Sequence, residues 1–319
     1  MKKRFFYHEK KKRLRPFFSF LLLILVLTIS FKLLNNTKIE ISNKEFVKIL
    51  LAKSNIIKTK SNGIDQLKKA LDNLYEQPEK FLSTTTSKLI DSKTNIKPTV
   101  ITNTDNNKKT KPLIYIYNTH QTEEYSPSSF LEYTVNPTVM MPNYILEETF
   151  NNQDYATIIE ESSIKEVLTA NNWKYSSSYK ASRILLEKAK EANPTLKYYI
   201  DVHRDSLRKD RTTVQINGKS YAKTIFLIGL ENPNYEENLA FTTKINNLLN
   251  EKYPNLSKGI YKKEGVGVNG IYNQDFSPYA ILIEIGGYEN TTTEVMNSTL
   301  AFAECYMEVI STYEAKTDN

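Results

Sequence analysis

The chain has 319 residues, enough for one large domain with flanking segments or for two domains. Its formal net charge is +7 at pH 7, but the first sixteen residues carry all of it, with eight lysines and arginines against one glutamate. The remainder is formally neutral and has no basic stripe with interleaved aromatic residues, which argues against nucleic-acid binding. The single cysteine, Cys305, excludes an intramolecular disulfide, and its apolar neighbours predict a buried thiol.

An apolar run follows directly after the basic tail at 1–16. Residues 17–34, FFSFLLLILVLTISFKLL, are long enough to cross a bilayer if Lys32 extends its charged end to the interface. A cleaved secretory signal is the alternative, but no small-x-small cleavage site follows at the expected place, which favours an uncleaved transmembrane anchor. The basic residues before the span predict a cytoplasmic N-terminus, with the rest of the chain outside the membrane.

Short helical patterns come next, within residues 35–83. The pattern at 42–53 opens with a capping box formed by Ser42 and Glu45, and a second pattern covers 61–82. We expect these helices to form a stalk or a small partner-binding module.

A polar segment at 84–111, rich in Thr, Asn and Lys, is typical of a linker. Strand and helix patterns then alternate over 112–319, which we assign to one domain. Strands are predicted at 113–117, 156–159, 197–202, 224–228 and 280–285, and helices at 143–151, 178–192, 235–253 and 292–315. Because the strands are apolar on both faces, the pattern predicts an α/β domain whose mostly parallel central sheet has helices on both faces.

Two of the three histidines stand where predicted strands end, which is where sites gather in parallel sheets. His120 follows the first strand, with Glu123 three residues later, and His203 follows the third. Glu284 lies inside the apolar strand AILIEI, where an ionised carboxylate costs several kcal/mol unless it is paired or binds a cation. These residues together predict a metal site.

The neighbours of His203 strengthen this interpretation. Alternate residues of a strand share a face, so Asp201 and Asp205 flank the histidine, and Asp201 is placed to accept the second N–H of the imidazole. Arg204 points to the other face or into the following loop. A salt bridge with an acid and a contact with substrate both remain open for it.

Two imidazoles and one carboxylate with an open fourth position form a ligand set for catalytic zinc, whereas structural zinc sites usually use cysteines. Such an ion supplies both nucleophile and electrophile for amide hydrolysis, and Glu284 is the candidate for carrying the proton. The spacing H-x-x-E also arises by chance. A catalytically inactive, membrane-tethered glycan- or partner-binding module, and a metal-free glycosidase using Glu123 and Glu284, therefore remain alternatives.

Three segments carry a resemblance to a known family: IYNTHQTEEY at 116–125, DVHRDS at 201–206 and NQDFSPYAILIEIGGYENTTTE at 273–294. In order and spacing they resemble the stage II sporulation protein P family, membrane-anchored peptidoglycan hydrolases of endospore-forming bacteria. The resemblance runs from about residue 112 to the C-terminus. The basic tail, single span and polar stalk fit the layout of that family.

The resemblance implies the fold of the zinc-dependent N-acetylmuramoyl-L-alanine amidases. It implies Zn²⁺ bound by His120, Glu123 and His203, with Glu284 as the catalytic acid or base. It also implies a peptidoglycan substrate, cleavage of peptide cross-links, and action with stage II sporulation proteins D and M in engulfment.

One position departs from the family pattern. Asn118 stands where the family often has the first histidine of H-T-H. We expect His120 to be the ligand, because it keeps the H-x-x-E spacing. Asn118 is then predicted to support the site or contact substrate.

Overall fold

The computed structural model describes residues 39–53, 111–130 and 133–315. Within those ranges, no helix has both the length and the apolar character that a membrane crossing requires. Four predicted segments lie outside the described residues: the basic tail at 1–16, the span at 17–34, the second stalk helix at 61–82 and nearly all of the linker at 84–111.

Strands and helices alternate along the described chain. The strands are β1 (Ile39–Glu40), β2 (Ile114–Tyr117), β3 (Ser128–Phe130), β4 (Tyr133–Val135), β5 (Thr157–Ile159), β6 (Tyr198–Asp205), β7 (Thr213–Ile216), β8 (Lys219–Ala222), β9 (Thr224–Gly229), β10 (Ser257–Lys263) and β11 (Ala280–Gly287). The helices are α1 (Asn43–Lys53), α2 (Met140–Asn151), α3 (Ile164–Ala170), α4 (Ser178–Ala192), α5 (Lys209–Thr212), α6 (Tyr235–Lys252) and α7 (Thr292–Glu314).

The central sheet has six strands in the order β10-β9-β11-β6-β2-β5. Every neighbouring pair is parallel except β11 with β9. Along β2, Ile114 and Ile116 join a core that includes residues of α2, α6 and α7, while Tyr115 and Tyr117 pack with Leu186 of α4. The sheet is therefore mostly parallel with helices on both faces, and the predicted α/β class is confirmed.

The strands and helices predicted between 112 and 319 are all present, with ends that shift by a few residues. The sequence did not predict β10, the β7–β8 hairpin, the small sheet β1-β4-β3 or α3. These elements are short or lie at edges. Strand β10, SKGIYKK, is an edge strand with three lysines, so it lacks the apolar run that marks a central strand.

The first stalk helix is present as α1, and its capping box is confirmed. The Ser42 N–H donates to Glu45 Oε2 at 3.0 Å, and the Glu45 N–H donates to Ser42 Oγ at 3.3 Å. The apolar face of α1 is buried in the main core through Phe46 and its neighbours, and β1 pairs with β4. Part of the segment assigned to a stalk therefore contributes to the core of the domain.

Candidate metal centre

A tight turn after β2 places the first two candidate ligands. The Glu123 N–H donates to the His120 carbonyl at 3.1 Å, which closes the turn. Glu123 Oε1 consequently lies 3.6 Å from His120 Nδ1. The H-x-x-E spacing brings imidazole and carboxylate to one point because it spans a single turn.

The end of β6 supplies the third candidate ligand. His203 Nδ1 lies 3.7 Å from Glu123 Oε2, and its ring meets the His120 ring edge to face, with centroids 5.1 Å apart. One ligand atom from each of His120, Glu123 and His203 can be chosen so that all three lie within 4.8 Å of one another. The structure thus brings together the three residues that the sequence proposed as metal ligands.

Asp201 stands behind His203, as the strand alternation predicted. Its Oδ1 lies 3.0 Å from His203 Nε2, although the ring N–H is not aligned well enough for a hydrogen bond, so the contact is mainly electrostatic. Asp201 is itself fixed by Thr119, whose N–H and hydroxyl donate to its two oxygens at 2.9 and 2.7 Å. Burial opposes protonation of His203, but the carboxylates of Asp201 and Glu123 outweigh it and raise the pKa of His203 to about 10.

Arg204 fixes the Glu123 turn from the other side. Its N–H donates to Glu123 Oε2 at 3.0 Å, and its guanidinium donates to the main-chain carbonyls of Glu124 and Asp205 at 2.8 and 3.2 Å. Although burial acts to raise the pKa of Glu123, its contacts with His120 and His203 prevail and lower it. In the part of the chain that the structure describes, Arg204 forms no ion pair with a carboxylate, so the salt bridge considered from the sequence is absent there.

Glu284 lies on β11 directly opposite His203 of β6 in the parallel register. Burial, with a further contribution from the charge of Asp205, raises the pKa of Glu284 to about 7. Asp205 is itself paired with Lys258 at 3.1 Å. A carboxyl group that titrates near neutral pH beside the candidate ligands is suited to accept and return a proton.

Asn118 is only 1% exposed, and its amide joins three elements. Its Nδ2 donates to the Val202 carbonyl of β6 at 2.6 Å and to the Val139 carbonyl at 3.2 Å, while its Oδ1 accepts from Asn143 of α2 at 2.7 Å. These bonds hold the end of β2 against the end of β6. Asn118 therefore stabilises the arrangement of the two strand ends that carry His120 and His203.

The sequence analysis missed two tyrosines at the site. Tyr175 stacks on the His120 ring with centroids 5.1 Å apart, and Tyr179 meets the same ring edge-on at 5.6 Å. No motif marks them, because the chain has 21 tyrosines and these two precede and begin an ordinary helix. By contrast, Tyr117 and Tyr125, which lie within the first motif, are buried and serve packing.

Fold and site define a class: an α/β protein with two histidines and a glutamate clustered at the carboxyl ends of parallel strands. The family model described as Stage II sporulation protein P (SpoIIP) matches residues 26–307, and the chain belongs to that family. The family prediction made from the three motifs is thereby confirmed.

Two known proteins are similar to the chain. "Stage II sporulation protein P" of Bacillus subtilis (strain 168) is 34% identical over 207 residues, which cover 62% of this chain and 51% of that protein. The chain thus spans about half the length of that relative. The solved structure of "Cwp6 from Clostridium difficile" matches 64% of this chain and 30% of its own, with 11% identity and a TM-score of 0.39, a likeness too low to support a conclusion.

Proposed function

We propose that this protein is a zinc-dependent peptidoglycan hydrolase, an N-acetylmuramoyl-L-alanine amidase that acts in engulfment during sporulation. The observation that carries the proposal is the convergence of His120, Glu123 and His203 at the ends of two neighbouring parallel strands. Membership of the stage II sporulation protein P family supports the sporulation role.

The donor set fits zinc. Ligand atoms bound to one tetrahedral zinc at about 2.0–2.2 Å lie roughly 3.3–3.5 Å from each other. The 3.6 Å contact with His120 uses Glu123 Oε1 and the 3.7 Å contact with His203 uses Oε2. With one ligand atom from each residue the three atoms lie within 4.8 Å of one another, so a bound zinc would draw the side chains about 1 Å closer together. Asp201 lies 3.0 Å from His203 Nε2, on the side of the ring away from Glu123, which is where carboxylates behind zinc-binding histidines commonly lie. Three protein ligands leave one position for water and substrate, which is the arrangement of catalytic sites.

Bound zinc and Glu284 would have separate roles in amide hydrolysis. When bound, zinc lowers the pKa of a water molecule and polarises a carbonyl group. Glu284 accepts a proton from the attacking water as the new C–O bond forms, and returns it to the amine nitrogen as the C–N bond breaks. In the metal-free fold, burial raises the pKa of Glu284 to about 7, so the group accepts a proton more readily than an exposed carboxylate.

The cellular setting is part of the proposal. The apolar run at 17–34 anchors the chain in the cell membrane with its N-terminus in the cytoplasm, and the hydrolase domain faces the wall. Stage II sporulation proteins D and M are proposed partners, and cleavage of peptide cross-links is a proposed second activity.

Digestion of purified peptidoglycan by the full chain tests the reaction. Amidase action frees the amino terminus of L-alanine, and mass spectrometry then finds intact glycan and free stem peptides. New reducing sugar ends would instead indicate the glycosidase alternative. Binding to peptidoglycan without any product would indicate the inactive tethered module.

A further inference from the structure

We propose that Arg204, with the exposed tyrosines Tyr175 and Tyr288, forms a subsite that binds a carboxylate of the substrate's peptide beside the metal centre. This inference rests on the proposed function and names the part of the substrate that the site recognises.

The guanidinium of Arg204 is held in place but only partly used. Its Nε and Nη1 donate to the carbonyls of Glu124 and Asp205, which fix the plane of the group. Among the described residues, Nη2 donates no hydrogen bond. A guanidinium that is already oriented loses little entropy on binding, and its planar fork matches a carboxylate.

Two other cations of the domain differ from Arg204 in their partners. Lys258 pairs with Asp205 at 3.1 Å, and Arg183 holds Asp275 through two contacts of 2.8 and 2.9 Å. Both positive charges are thus neutralised within the fold. Arg204 has main-chain partners instead, so its full charge remains for a ligand.

One exposed aromatic ring lies beside this charge, and a second lies beside the candidate ligand His120. The guanidinium of Arg204 lies 5.9 Å from the ring centre of Tyr288, which is 38% exposed. Tyr175 is 57% exposed and stacks on His120.

The chemistry of this surface favours a charged peptide group over a sugar. A neutral sugar ring needs an aromatic face but no cation, whereas a carboxylate gains charge-assisted hydrogen bonds from the arginine. The guanidinium donates to the carbonyl of Glu124, the residue that follows the ligand Glu123, so the carboxylate it binds belongs to a residue close to the scissile amide.

The test compares two ligands on four proteins. The ligands are an N-acetylmuramoyl dipeptide with a terminal carboxylate and the same molecule as its carboxamide. Calorimetry on the metal-free full chain measures both affinities, and the zinc-loaded chain gives kcat/KM for both. We expect the wild type to favour the carboxylate about tenfold or more, Arg204→Met to lose that preference, and Arg204→Lys to keep part of it. Arg183→Met is the matched control and should keep the wild-type ratio.

The deciding quantity is the ratio of the affinity for the carboxylate ligand to the affinity for the carboxamide ligand. A ratio near one in the wild type, or the wild-type ratio in Arg204→Met, would overturn the inference. Loss of binding to both ligands in equal measure would show that Arg204 only supports the fold. Because calorimetry uses metal-free protein, the ratio is decided independently of hydrolysis. Absence of zinc binding and of hydrolysis in the wild type overturns the proposed function, while the measured ratio still decides the subsite.

Discussion

Glu284 and His203 face each other across neighbouring parallel strands, β11 and β6. The pairing sets a carboxyl group with a raised pKa next to a candidate metal ligand. Because both positions lie within the central sheet, their separation is set by backbone hydrogen bonds. A rigid pair of this kind suits a reaction in which one group holds a metal and the other carries a proton.

Replacing Glu284 by Gln removes the proton carrier while it preserves the shape of the side chain. We expect kcat to fall by a factor of about 100 or more, with zinc content unchanged. Glu124→Gln is the matched control, because the structure connects Glu124 to the site only through its main chain, and it should keep wild-type activity. Turnover by Glu284→Gln at the wild-type rate would remove Glu284 from the mechanism.

The same substitution predicts a pH-dependent gain in stability. The pKa of Glu284 is raised from 4.5 to about 7, so folding favours its protonated form, and the ionised form destabilises the fold as pH rises through 7. In metal-free protein, Glu284→Gln should stabilise the fold above pH 7 by up to roughly 3 kcal/mol and have little effect below pH 4.5. Denaturant unfolding at pH 4.5 and pH 8 measures both values, and equal effects at the two would contradict the assignment.

Zinc binding should release a proton from His203. Its pKa of about 10 in the metal-free fold means that it carries a proton at pH 8, while a metal ligand must be neutral. The stabilisation from protonated His203 is complete below pH 6.5 and is lost as pH rises through 10. Calorimetric titration with zinc at pH 8 in buffers of different ionisation enthalpy should show proton release. Heats that do not depend on the buffer would contradict this protonation state.

Removing the buried ring of Phe46 should destabilise the whole domain. Phe46 is 1% exposed within the main core, and truncation of a buried phenylalanine to alanine costs about 3–5 kcal/mol. Ile39→Ala is the control, since Ile39 is 52% exposed and its loss should cost little. Unfolding in denaturant measures both variants. Equal stability of Phe46→Ala and wild type would mean that α1 does not belong to the domain core in solution.

The sequence predicted five of the six strands of the central sheet, and the three candidate ligands, because each depends on local signals. Apolar runs such as LIYIY mark buried strands, and polar residues that follow them are placed at the sheet's carboxyl edge by topology alone. The spacing of His120 and Glu123 spans one turn, so their meeting is a local property. His203 joins them because β2 and β6 are neighbours in the sheet.

Features that arise from tertiary packing were not predictable in this way. Helix α1 was predicted from its capping box and from the helical spacing of its apolar residues. No local pattern shows that its apolar face packs on α2, which lies nearly a hundred residues later in the chain. Tyr175 reaches His120 because a short helical turn packs over the site, and Arg204 meets the Glu124 carbonyl, which only the folded turn presents. Such contacts depend on how the elements are arranged in space.

Metal content of the full chain tests the central claim most directly. Elemental analysis of protein purified in the presence of zinc should find about one zinc per chain, reduced to background in His203→Ala and retained in Glu284→Gln. All three proteins should unfold cooperatively, which shows that a loss of metal is not a loss of fold. A well-folded wild-type protein without zinc, or full zinc content in His203→Ala, would contradict the account.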